Sequence, residues 1–174
     1  MKAFAHPGSD HMIPTNINKA IDDTIIVSRH EWKYAADLDT AFDQGLPAVT
    51  CFANEVNQVL LNLIVNAVDA IKEKFGLNST EKGRITISTC QDGPWAEIRI
   101  SDTGSGIPED IRSRLFDPFF TTKGMGIGSG QGLALAHSVI VNHHHGSISF
   151  DSELGKGTTF TVRLPLGGKR LAEV

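Results

Sequence analysis

Residues 54–73 constrain this chain more than any other segment. Val56, Val59, Leu60, Leu63, Ile64, Ala67, Val68 and Ile71 recur at i, i+3, i+4 and i+7, the spacing of one long amphipathic helix. At about 100° per residue, Glu55, Gln58, Asn62, Asn66, Asp69 and Glu73 then fall in one narrow polar stripe. Such a stripe is ordinarily a solvated face. Here aliphatics flank it, Val59 and Ala70 on one side and Leu61 and Val65 on the other. Asparagine is also a poor mid-helix residue, because its amide competes for backbone partners. A row of amides walled by aliphatics describes the floor of a cleft. An amide oxygen is a hard, neutral ligand that suits Mg²⁺, a cation that takes few protein ligands beside phosphates.

Two further segments fit a nucleotide. In the strand predicted over residues 96–102, Ala96, Ile98, Ile100 and Asp102 share one face, and that face is apolar. A carboxylate ending an apolar face is buried and needs a donor. An adenine exocyclic amine is one such donor, although an Asp capping the turn before Pro108 is the plain structural alternative. The glycines of Thr103-Gly104-Ser105-Gly106 let backbone approach a flat ligand. Farther on, Gly124, Gly126, Gly128, Gly130 and Gly132 alternate and feed into a helix. A helix N-terminus after such a loop offers unpaired N–H groups and a positive dipole to phosphate. The run is neither a Walker loop nor a dinucleotide fingerprint, since no Gly-Lys-Ser or Gly-Lys-Thr occurs and no strand precedes it.

The rest of the chain supplies a frame. Helical spacing is predicted over residues 16–29, 54–73, 108–115 and 131–143, and strands over 32–40, 84–90, 96–102, 146–152 and 158–164. Consecutive strand pairs joined by turns at 91–94 and 153–157 favour an α+β fold, a two-layer sandwich with a mixed, mostly antiparallel sheet on about three helices. With 174 residues one domain is expected. A net charge of −4 argues against a nucleic-acid partner. No apolar run approaches the roughly 20 residues that span a bilayer, so no direct membrane contact is expected. Cys51 and Cys90 sit in apolar-patterned segments and are expected to be buried free thiols of a reducing, cytoplasmic compartment. The run His143-His144-His145 chelates one metal poorly, because adjacent helical residues diverge.

In this order, the segments resemble the ATP-binding catalytic domain of sensor histidine kinases, within the wider family that includes DNA gyrase and MutL-type ATPases. The resemblance covers about residues 50–165. Asn62-Leu-Ile-Val-Asn66-Ala-Val-Asp69-Ala70 is similar to the asparagine box, and Asp102-Thr-Gly104-Ser-Gly106-Ile-Pro108 to the first glycine box. Phe116-Asp-Pro118-Phe119-Phe120-Thr-Thr-Lys123 is similar to the phenylalanine box, Gly130-Gln-Gly132-Leu133-Ala-Leu135 to the second glycine box and Gly155-Lys-Gly157-Thr158-Thr-Phe160 to the last. The second glycine box departs from the common pattern at Ala134, where a methyl inside a helix is tolerated.

The resemblance implies a Bergerat-type ATP-binding fold with ATP and Mg²⁺ as cofactors. It implies Asn66 as Mg²⁺ ligand with Asn62 beside it, and Asp102 as acceptor for the adenine amine. Gly104, Gly106, Ile107 and Thr158 would line the base, and Lys123, Gly130, Gln131, Gly132 and Leu133 would meet the phosphates. Residues 117–130 would form the ATP lid. A remnant of an upstream helix and linker is expected over residues 1–14, the catalytic domain over 15–168 and a tail over 169–174. The implied activity is transfer of the ATP γ-phosphoryl group to a histidine on a separate dimerisation domain, with a response regulator receiver domain downstream. His30-Glu31 has the letters of a phosphoacceptor pair but runs into a strand pattern at Trp32-Lys33-Tyr34, so it is not expected to be one. Two other functions fit less well. An ATP-hydrolysing clamp of the gyrase or MutL type would need a glutamate base where Asn62 stands. A degenerate kinase that only binds nucleotide would tolerate broken boxes, and these are intact.

Overall fold

The computed structural model describes residues 11–76, 79–118 and 132–167. A five-stranded mixed sheet carries helices on one face. In chain order the elements are β1 (Ile13–Thr15), α1 (Ile17–Val27), α2 (Arg29–Trp32), β2 (Ala36–Ala41), β3 (Val49–Cys51), α3 (Ala53–Phe75), β4 (Gly83–Asp92) and β5 (Trp95–Asp102). A short 3-10 helix (Glu109–Arg114), α4 (Gly132–His137), a wide π-helical segment (Ser138–His143), β6 (Ser147–Glu153) and β7 (Gly157–Pro165) follow. The main sheet runs β2-β4-β5-β7-β6, with β2 parallel to β4 and every other neighbour antiparallel. This is the mixed, mostly antiparallel α+β sandwich that the turn spacing implied.

Alternation along the strands decides which side chains meet α3. Ile85 and Ile87 of β4, Ala96, Ile98 and Ile100 of β5, and Phe160, Val162 and Leu164 of β7 all face inward and are buried. They pack on Val56, Val59, Leu60, Leu63, Ile64, Ala67, Val68 and Ile71, the stripe that the periodicity assigned to the core. Helix α3 stops at Gly76, whose N–H donates to the Lys72 carbonyl at 2.8 Å. Helix α1 begins at Asn16, whose side chain accepts from the Lys19 N–H at 3.1 Å.

Four local expectations need correction. Residues 29–32 form a helical turn, and the strand starts only at Ala36. The Trp32 indole N–H reaches back to the Ile25 carbonyl at 3.1 Å and the Lys33 N–H to the Arg29 carbonyl at 2.9 Å, which fixes the turn against the end of α1. The helix expected over 131–143 widens after His137 into i→i+5 geometry. The ribbon of β1 with β3 went unforeseen, because three-residue strands show no period. Finally, both cysteines are free, but only Cys51 is buried. Cys90 pairs with Glu97 on the outer face of the sheet, opposite in alternation to Ile85, Ile87 and Thr89.

His144 joins the end of the π-helical segment to the start of α3. Its Nε2 accepts from the Phe52 N–H at 3.0 Å, so the ring proton sits on Nδ1 and is donated to the Val139 carbonyl at 2.8 Å. Phe52 also meets the imidazole edge-on at 5.4 Å. Burial lowers the His144 pKa below its ordinary 6.5, against the Val139 carbonyl and Glu55, which raise it. The unfolded chain therefore takes up this proton first as pH falls, and the folded chain loses stability below about pH 6.5. His144→Ala should cost about 2–3 kcal/mol at pH 7.5 through two lost bonds and a cavity. It should also flatten the acid limb of stability between pH 5 and 7. Urea unfolding of both proteins across that range checks this, and parallel curves would contradict it.

Candidate functional site

The amide stripe of α3 and the end of the sheet face one another. Ala70 on α3 touches the loop after β5: the Ser105 N–H donates to the Ala70 carbonyl at 3.1 Å, and a Cβ on Gly104 would lie 2.6 Å from the Ala70 backbone. Glycine at 104 is thus required by helix packing, whereas the sequence offered only approach to a ligand. Gly106 takes φ +77, a conformation that disfavours side chains, and abuts the β6–β7 turn at Leu154.

Across the sheet, the inward rows change character at this end. Ile98, Val162 and Ile148 form one row over β5, β7 and β6, and Ile100, Phe160 and Phe150 the next. The last row is Asp102, Thr158 and Ser152. An apolar floor thus ends in three polar side chains beside Gly104 and Ile107. Asp102 is 7% exposed. Burial pushes its carboxyl up from 3.8 to about 6, opposed by N–H groups of Gly104 and Thr158. The Gly104 N–H donates to Oδ1 at 2.8 Å. Desolvation outweighs these two donors, and a ligand amine would add a third.

On α3 the two asparagines differ. The Asn62 carboxamide is engaged at both ends: its Oδ1 accepts from the Gln58 Nε2 at 3.0 Å, and its Nδ2 donates to the Gly132 carbonyl at 3.3 Å. Asn62 thereby ties α3 to the first residue of α4. The Asn66 carboxamide has no hydrogen-bond partner among the described residues and is only partly buried. Its oxygen is the freer of the two for a cation. Gly132 and Leu133 open α4, which lies against α3. Phe116 stacks between His137, at 5.2 Å, and Phe150, at 6.0 Å, and so anchors the start of the phenylalanine-rich segment on the sheet. Lys123, Gly130 and Gln131, expected at the phosphates, and most of the lid expected over 117–130 lie outside the described residues.

Asp102, Thr158 and Ser152 end the inward rows of the sheet beside Gly104, Gly106 and Ile107, Ala70 of α3 touches the Gly104 loop, and Asn62 on the same helix meets Gly132. Two contributors were missed from sequence, Ser152 and Arg112, which brace Ile107, while Gln58 of the polar stripe orients Asn62. Ser152 carries the same signal as Asp102, a polar residue ending an inward apolar alternation, Ile148 and Phe150.

Known proteins resemble this chain. A family model described as histidine kinase-, DNA gyrase B-, and HSP90-like ATPase matches residues 53–168. The chain is 35% identical over 166 residues to the signal transduction histidine-protein kinase AtoS of Escherichia coli K12, covering 94% of this chain and 25% of AtoS. It is 40% identical over 114 residues to the two-component sensor PprA of Pseudomonas aeruginosa, covering 66% of this chain and 12% of PprA. The chain therefore spans a quarter or less of either relative. The nucleotide-free catalytic domain of histidine kinase ThkA superposes with TM-score 0.78 at 26% identity, covering 91% of this chain and 98% of that domain.

Proposed function

The chain belongs to the histidine kinase-, DNA gyrase B-, and HSP90-like ATPase family, and from that premise we propose that it is the ATP-binding catalytic domain of a two-component sensor kinase. In this reading it presents ATP so that the γ-phosphoryl group passes to an imidazole nitrogen of a histidine on the dimerisation domain, and the bridging oxygen leaves with ADP. A response regulator receiver domain then takes the phosphoryl group. The observation that carries the reading is the buried Asp102 carboxyl at the polar end of an apolar floor, bonded to Gly104, whose loop packs on Ala70 of α3.

Asp102 and Thr158 hold the base, with Gly104, Gly106 and Ile107 around it. Asn66, whose carboxamide has no partner among the described residues, fits Mg²⁺, and Asn62 stands beside it. When bound, Mg²⁺ neutralises phosphate charge. Gly132 and Leu133 offer helix N–H groups to the phosphates, and Lys123, Gly130 and Gln131 are proposed to join them. The protein's own work is positioning and charge compensation. A gyrase-type hydrolytic role lacks support, because the position of its carboxylate base is Asn62, which already spends both ends of its amide on Gln58 and Gly132. No helix among the described residues is long and apolar enough to cross a membrane. A cytoplasmic location is part of the proposal.

The pair His30-Glu31 sits on α2 with His30 exposed and 3.3 Å from Glu31. A four-residue helix offers little dimerising surface, which supports the reading that the acceptor is a histidine other than His30. With γ-labelled ATP and Mg²⁺, this chain should label a separately supplied histidine-bearing dimerisation domain of the same kinase and leave itself unlabelled. The label should be acid-labile. Phosphate on His30, or steady hydrolysis without transfer, would overturn the proposal.

A further inference from the structure

We propose that Ser152 is a positioning residue that sets the hydrogen-bond polarity of the Thr158 hydroxyl, and so selects a purine bearing an amine over one bearing a keto oxygen. The inference rests on the reading of Asp102 and Thr158 as the base site. Ser152, Thr158 and Asp102 stand side by side on three adjacent strands, on the inward face. The Ser152 Oγ accepts from the Ile107 N–H at 2.8 Å and donates to the Gly157 carbonyl at 3.2 Å. A hydroxyl has one proton to give. Either oxygen could donate in the 2.8 Å contact between Ser152 Oγ and Thr158 Oγ1, and we assign the proton to Thr158 because Ser152 gives its own to Gly157.

With that proton committed, Thr158 has only lone pairs left for a ligand. Its neighbour Asp102 is also an acceptor when ionised. Two acceptors side by side match a donor amine and oppose a keto oxygen, because a buried acceptor facing an acceptor is left unpaired. Arg112 holds this arrangement from outside the row. Its Nε and Nη2 donate to the Ile107 carbonyl at 3.1 and 3.0 Å, and Nη2 also donates to the Ser152 carbonyl at 2.8 Å. Arg112 thereby ties the Ile107 and Ser152 backbones together, which keeps the Ile107 N–H beside the Ser152 Oγ.

Ser152→Ala removes the acceptor for the Thr158 proton. Thr158 can then turn and donate, which relieves its opposition to a keto group. The probes are ATP and inosine triphosphate, which carries a keto oxygen in place of the amine and a proton on N1, titrated calorimetrically into the full chain with Mg²⁺. The wild type should prefer ATP, and Ser152→Ala should shrink the ratio of the two affinities by about tenfold, one hydrogen bond's worth of discrimination. Ser152→Thr, which keeps the hydroxyl, should restore the ratio. Should the alanine variant not fold, Ser152→Cys keeps the volume with only a weak acceptor and should show the same loss of preference. Equal weakening of both nucleotides with an unchanged ratio would overturn the inference and leave the base site standing. A wild type without preference for ATP would overturn the base site and the inference together.

Discussion

Asp102→Asn is expected to weaken ATP binding by about 30- to 1000-fold, or roughly 2–4 kcal/mol, while making the nucleotide-free protein more stable at neutral pH. The loss follows from polarity. An ionised carboxylate accepts through both oxygens, whereas an asparagine turns one N–H toward the ligand amine and leaves both donors unpaired. The gain follows from burial, which raises the Asp102 carboxyl to about 6 in the folded chain from an ordinary 3.8. Between those values the folded chain holds a proton that the unfolded chain has released. The stability from this group is complete below about pH 4 and is lost as pH rises through about 6. At pH 7 the ionised buried carboxylate costs on the order of 3 kcal/mol, and an amide escapes that cost while giving up part of the bonding to the Gly104 and Thr158 N–H groups. The same ionisation governs ligand affinity in the opposite sense, so ATP should bind more weakly as pH falls below about 6. Calorimetry with a non-hydrolysable ATP analogue and urea unfolding at pH 7 check the two halves. A change in Kd of less than threefold would sink the role of Asp102.

Asn66→Ala should lower affinity for Mg·ATP by about a hundredfold, roughly 2–3 kcal/mol, and hardly change affinity for adenosine. The carboxamide has no partner among the described residues, so its removal breaks no contact described in the protein and leaves α3 packed by Leu63, Ala67 and their neighbours. Alanine also favours helix. The effect must therefore show in the ratio of affinities with and without Mg²⁺, not in stability. Asn62→Ala is a useful contrast, since it severs the link from α3 to Gly132 and should disturb phosphate binding whether or not Mg²⁺ is present. An Asn66→Ala protein with unaltered Mg²⁺ dependence would make the asparagine part of a solvated stripe.

Much of the site was readable because it obeys strong periodicities. The alternation Ala96, Ile98, Ile100, Asp102 identified a buried carboxylate, and the helical spacing put Asn62 and Asn66 outside the core row of α3, where both are part-buried. What stayed hidden depends on contacts distant in sequence. Nothing local says that Gly104 is glycine because Ala70 packs against it, or that Asn62 is held between Gln58 and Gly132. The turn at 29–32 was missed because its cause is the Trp32 indole bonding across to α1. The wide helix after His137 was missed because apolar spacing does not separate i→i+4 from i→i+5 bonding over six residues.

Titration of the wild-type chain with ATP, in the presence and absence of Mg²⁺ and against adenosine as competitor, tests the central claim most directly. One site that joins Asp102 at the base to Asn66 at the metal predicts saturable binding of one ATP per chain, tightened by Mg²⁺ and displaced by adenosine. Absence of binding would contradict the account, as would binding that adenosine leaves untouched.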